Sequence, residues 1–149
     1  MQCLLYFYGE TNPPILMKKN IDTGLLTLRL TLGVLMLLHG IEKIQKGTSF
    51  IQQSLTDIGL PAFFGYGVYI GEILAPLMLI IGYRTRVAAI IYAVNCLVAM
   101  LMVHSGDIFT LTKHGGWGVE LLGLYLFGSI TLYFTGSGKY ALSFGHKWD

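Results

Sequence analysis

Four apolar segments, each close to the length of a lipid bilayer, constrain this chain more than anything else in it. Residues 21–40, 63–82, 87–103 and 117–135 carry few charges, and a hydrocarbon layer about 30 Å thick takes about 20 residues of helix. A backbone in lipid must satisfy its own N–H and C=O groups, so such segments are expected as helices. The expected fold is all-α, an integral membrane bundle of four transmembrane helices. Only 12% of the 149 residues are charged, against roughly 25% in soluble domains, too few to clothe a water-facing surface. A net charge of +2 with no basic stripe excludes a nucleic-acid partner and leaves the lipid bilayer as the first one. Cys3 and Cys96 form no CxxC pair, so neither a redox dithiol nor a thiolate metal site is readable.

The connections differ in kind. Residues 83–86 make a tight turn, whereas 41–62 is long enough for a short amphipathic helix between the first and second spans, capped by Ser49, with Ile51, Leu55 and Ile58 on one face and Gly59 and Pro61 as the stop. Lys18, Lys19, Arg84, Arg86, Lys139 and Lys147 share a side with both termini, against Lys43, Lys46 and Lys113 on the other, which predicts both termini in the cytoplasm. Gly33 with Gly40, Gly67 with Gly71, and Gly123 with Gly128 are expected to let helices approach closely. Residues 1–20 read as an N-terminal extension, with Met17-Lys18-Lys19 resembling a native start; 21–143 form the membrane domain and 144–149 a tail.

Charges inside such segments are costly, about 2.5–3.5 kcal/mol each at mid-bilayer, and should face the interior with partners. Counting depth from the span edges puts Arg29 and Glu72 both near the midplane, so they are expected to meet, as a structural tie or as part of a site. Glu120 is placed in the outer half, within reach of Lys43 or His39. Arg29, His39, Glu42, Lys43, Glu72, His104, Trp117 and Glu120 are thus expected to line a cavity open to the outer side, with Arg29 at its floor. His114, beside Gly115 and Gly116, reads as a loop residue. Pro76 removes a backbone bond to the Glu72 carbonyl, leaving a candidate ligand site beside the carboxylate. No paired histidine spacing supports a metal or haem site, and none is expected.

The run LRLTLGVLMLLHGIEK at residues 28–43 resembles the opening of the DoxX family of small four-span membrane proteins. The likeness continues in order through Gly59-Leu60-Pro61, Gly71-Glu72, the GYRTR turn from Gly82, His104, and Trp117 with Glu120, covering about residues 23–143. The tail GSGKYALS departs from the family's usual ending in a proline and a terminal acid. The resemblance implies the bacterial cytoplasmic membrane and a quinone-linked oxidoreductase or quinone-binding subunit of a redox complex. Quinone would then be the cofactor, held without a covalent bond, and a soluble or membrane redox partner subunit would supply electrons. A membrane-protein assembly or anchoring factor and a small-solute or proton-coupled carrier, the latter as a homo-oligomer, are the other readings.

Overall fold

The computed structural model describes residues 20–143 and 145–149; the expected N-terminal extension, with Cys3, Lys18 and Lys19, lies outside the described residues. Among the described residues the architecture is all-helical. Helix α1 spans Ile21–Lys46, α2 Ser49–Asp57, α3 Ala75–Ile81, α4 Thr85–Met102 and α5 Glu120–Thr135. Helix α3 is the last part of a longer apolar rod, Ala62–Ile81, which begins as a 3-10 turn at Ala62–Gly67 and passes through a π turn at Ile70–Leu74. Among the described residues, three rods are long and apolar enough to cross a membrane: Ile21–Lys46, Ala62–Ile81 and Thr85–Met102. Helix α5 is apolar but has 16 residues.

Boundaries shift from the expected ones for local reasons. Helix α1 runs six residues beyond Gly40 because its last turn is polar and helix-forming, with Glu42 paired to Lys46 at 2.6 Å across one turn. It begins at Asn20, whose side chain accepts the Thr23 N–H. Helix α5 starts at Glu120 rather than Trp117: Trp117 bridges back to Leu111 and donates its indole N–H to the Ile108 carbonyl at 2.6 Å. Helix α2 forms where a short helix is expected, with Leu55 buried; Ile58 lies past its end and is exposed.

The core is a contiguous set drawn from every long element, with Met36 from α1, Leu79 from α3, Tyr92 and Cys96 from α4, and Tyr125 and Leu132 from α5. Glycines set several of the contacts. A Cβ at Gly33 would fall 3.0 Å from the Pro76 carbonyl, and the Trp117 ring fills the space over Gly123. Gly67 has open space around it, so its expected packing role is not seen.

Helix α3 ends in a Schellman motif that explains the most deeply buried charge among the described residues. Gly82, at φ +71°, lets Tyr83 N–H reach the Met78 carbonyl at 2.9 Å and its own N–H reach Leu79 at 3.2 Å. The last carbonyls also receive donors from outside the helix. Arg29, 1% exposed, donates from Nε to Leu79 at 2.9 Å and from Nη2 to Ile80 at 3.3 Å. Leu142 and Ser143 donate their N–H groups to Ile81 and Gly82. A third guanidinium bond, Nη1 to the Ser137 carbonyl at 2.6 Å, joins the tail to the same point. Cationic charge at a helix C-terminus is stabilised by the aligned peptide dipoles, so Arg29 is satisfied without a carboxylate.

Candidate functional site

The site begins at the π turn. Pro76 has no N–H to continue an α-helical ladder. Ahead of it the chain widens so that Ala75 N–H bonds to Ile70, five residues back. Such turns place one extra residue in a helix and occur often at functional sites; here that turn holds Glu72. Gly40 on α1 makes room for it, since a Cβ there would lie 2.5 Å from the Glu72 carbonyl. That carbonyl, expected as a ligand site, is packed against α1. On the opposite side, Gly71 accommodates the Asn95 side chain of α4.

Glu72 is paired with Lys43. The ammonium donates to Oε1 at 2.9 Å and Oε2 at 2.7 Å, with the carboxylate side chain 9% and the lysine 25% exposed. Tyr69, one turn before Glu72, donates its hydroxyl to the Lys43 carbonyl at 3.2 Å and so fastens the same two elements together.

This pair forms part of the wall of a cavity of about 780 Å³. His39 and Lys43 of α1, Asn95 of α4, Tyr125 of α5 and His104 beyond α4 supply polar groups to a lining that is otherwise mainly aliphatic. The volume falls within the roughly 300–1,000 Å³ typical of small-molecule sites. From the cavity wall an edge-to-face aromatic series leads into the core: His39 to Tyr125 at 6.4 Å between centroids, then Tyr125 to Tyr92 at 6.1 Å. Tyr92 closes it by donating its hydroxyl to the Leu32 carbonyl at 3.0 Å.

The expected constellation therefore divides. His39, Lys43, Glu72 and His104 come together around the cavity. Arg29 does not, and its expected pairing with Glu72 is replaced by three carbonyl bonds at the far end of α3. The cause is register. Gly40 packs on the Glu72 backbone, and Arg29 is eleven residues, about 16 Å, further along α1. Glu42 points to solvent and pairs with Lys46. Glu120 is exposed at the start of α5 and contacts neither Lys43 nor His39 by hydrogen bond, while Trp117 braces the loop before α5. His114 is an exposed loop residue, and His104 also approaches Asp107 at 3.1 Å.

Sequence reasoning missed Asn95, Tyr125, Tyr69 and Ser54, all of which line the cavity or fasten its wall. Asn95 carried a readable signal: it is the one amide in the apolar run 87–103, where a hydrogen-bonding side chain needs a reason.

The sequence pattern of the DoxX family matches residues 24–105, which takes in α1, α2, the second rod, α4 and the first turn after it. A Bacillus subtilis (strain 168) protein named "Putative oxidoreductase CatD" is 30% identical over 126 residues, covering 85% of this chain and 89% of that protein. No solved structure matches. With the family's pattern spanning more than half of a chain whose helices are built for a membrane, this protein belongs to the DoxX family.

Proposed function

We propose that this protein is a quinone-linked membrane oxidoreductase, or the quinone-binding subunit of a membrane redox complex, and that the cavity beside Lys43 and Glu72 is where the quinone head binds. One observation carries the reading: a largely aliphatic cavity of about 780 Å³ has its polar groups gathered at the Lys43–Glu72 pair, with Asn95 and the two histidines nearby. A quinone is an apolar ring with two carbonyl oxygens, and its reduction takes two electrons and two protons. Lys43 is suited to donate a hydrogen bond to one oxygen, Asn95 to donate to the other, and Glu72 to exchange protons along the side that Lys43 leaves open. The name borne by the Bacillus subtilis relative supports an oxidoreductase role. Electrons would come from a partner subunit.

The same proposal includes four spans, with α5 as the fourth. Its 16 residues give about 24 Å of helix, and Val119 and Trp117 extend the apolar stretch. It also includes the bacterial cytoplasmic membrane with both termini on the cytoplasmic side. Mass spectrometry of the gently purified protein should find a quinone at close to one per chain. Lys43→Met and Glu72→Gln should each lower retention by about tenfold or more, which is the loss of roughly one hydrogen bond to a charged group. Protein that carries no quinone and does not bind added menaquinone overturns the proposal.

A further inference from the structure

The cavity does not stop at its polar groups. On α4, Ile90, Val94 and Val98 line it and are nevertheless 42%, 52% and 46% exposed. Spaced four residues apart, they form one stripe on the helix, about 12 Å long from first to last. Facing them, Ile70 at the head of the π turn also lines the cavity and is 50% exposed. A side chain that is both cavity wall and outer surface borders an opening. Among the described residues no further helix covers the space between the π turn and this stripe, so the cavity breaks through the side of the bundle. It does so along the middle of α4, within a stretch free of charged side chains from Val87 to Val103.

An opening of this make faces water poorly and hydrocarbon well. Bordered by aliphatic side chains, it offers no hydrogen-bond partner to a polar molecule passing through, and every methylene placed against it is removed from contact with polar groups. The polar groups, in contrast, lie behind the stripe: Glu72 follows Ile70 by two residues, and Asn95 follows Val94 by one on the neighbouring face. The geometry is that of a slot with a polar back and an apolar mouth.

We infer that the ligand of this cavity enters sideways from the bilayer and carries an apolar chain, which lies between Ile70 and the Ile90–Val94–Val98 stripe while its polar head reaches Lys43 and Glu72. The inference rests on the quinone reading and narrows it to chain-bearing quinones held by head and chain together, as opposed to small water-soluble ones.

Binding of two probes to the full chain in nanodiscs, measured against empty nanodiscs to correct for partition, separates the possibilities. The probes share one benzoquinone head; one bears a decyl chain and the other none. The decyl probe should bind about tenfold tighter, through dispersion contacts between its chain and the fixed aliphatic wall. Val94→Trp, at an exposed position, should remove most of that advantage and leave the bare head unchanged within about twofold. Ile90→Trp gives a second reading should the first variant lose its helical circular dichroism. Equal affinities for the two probes, or a chain advantage that survives both tryptophans, overturns the side entry and leaves the quinone site standing. Cross-linking of two copies through Val94→Cys in native membranes, showing the stripe covered by a second chain, overturns it as well. Failure of both probes to bind removes the quinone reading itself.

Discussion

Arg29 and Lys43 sit on one helix, fourteen residues and about 21 Å apart, and solve the problem of a buried cation in opposite ways. Lys43 meets a carboxylate; Arg29 meets a helix end. The difference predicts their energetics. Because Lys43 and Glu72 are joined by two hydrogen bonds with Glu72 nearly buried, Lys43→Met or Glu72→Gln alone should cost about 2 kcal/mol. That is below the 3–5 kcal/mol of fully buried pairs, and the double variant should recover part of it. Arg29→Met removes three hydrogen bonds and leaves the Ile80 and Ser137 carbonyls without their donor, Leu79 keeping the Gly82 N–H, and should cost about 3 kcal/mol. Combined with Glu72→Gln its loss should simply add, because the two side chains share no partner. Thermal unfolding in detergent of the six proteins reads both couplings. The sequence announced that each of these charges needs a partner, which is why all of them were recognisable as candidates. It did not announce which partner, since depth counted from His39 as a span edge fails once α1 continues to Lys46. A helix C-terminus as the acceptor for Arg29 has no mark of its own in the sequence: carbonyls are present at every residue.

At the scale of elements, close approach between α1 and the second rod decides whether the site exists. Gly40 allows the Glu72 backbone onto α1, and the nearest atom to an added Cβ is a carbonyl oxygen at 2.5 Å that cannot swing aside. Gly40→Ala should therefore destabilise by about 1–3 kcal/mol and loosen the Lys43–Glu72 pair. Gly24→Ala, on the same helix with nothing within 4 Å, should stabilise by about 0.5–1 kcal/mol through the lower entropy of the unfolded chain. Melting curves of the two variants should move in opposite directions. The apolar rods, the tight turn at Gly82–Arg86 and the stop at Gly59 and Pro61 were all legible from hydropathy and turn chemistry. The π turn was half legible: Pro76 marked a break in the ladder, but whether a helix kinks or widens ahead of a proline is settled by what packs there, here Gly40 and Asn95.

For the whole molecule, the end of the chain is built into the bundle. Arg86 N–H bonds to the Trp148 carbonyl at 3.2 Å, and Arg84, itself held at φ 47°, faces Asp149 at 3.8 Å. Burial favours the neutral form of the Asp149 carboxyl. The Ser143 hydroxyl at 2.8 Å, the His146 N–H at 2.8 Å and the Arg84 charge outweigh it and hold the carboxyl below its ordinary value. The stabilisation this gives is present above the unfolded aspartate's pKa of about 3.9 and is lost as pH falls through the lower folded value. The difference in melting temperature between the protein and its Asp149→Asn variant should accordingly persist above about pH 4 and shrink as the pH falls further.

The Ser137 carbonyl that receives Arg29 lies 108 residues further along the chain. Synthesis runs from one end to the other, so α1 is made and placed long before that acceptor exists. Leu79 and Ile80 follow it after some fifty residues; Ser137 arrives only when α5 has been completed. The third bond of the Arg29 guanidinium therefore depends on a residue made after all of the helices it ties together.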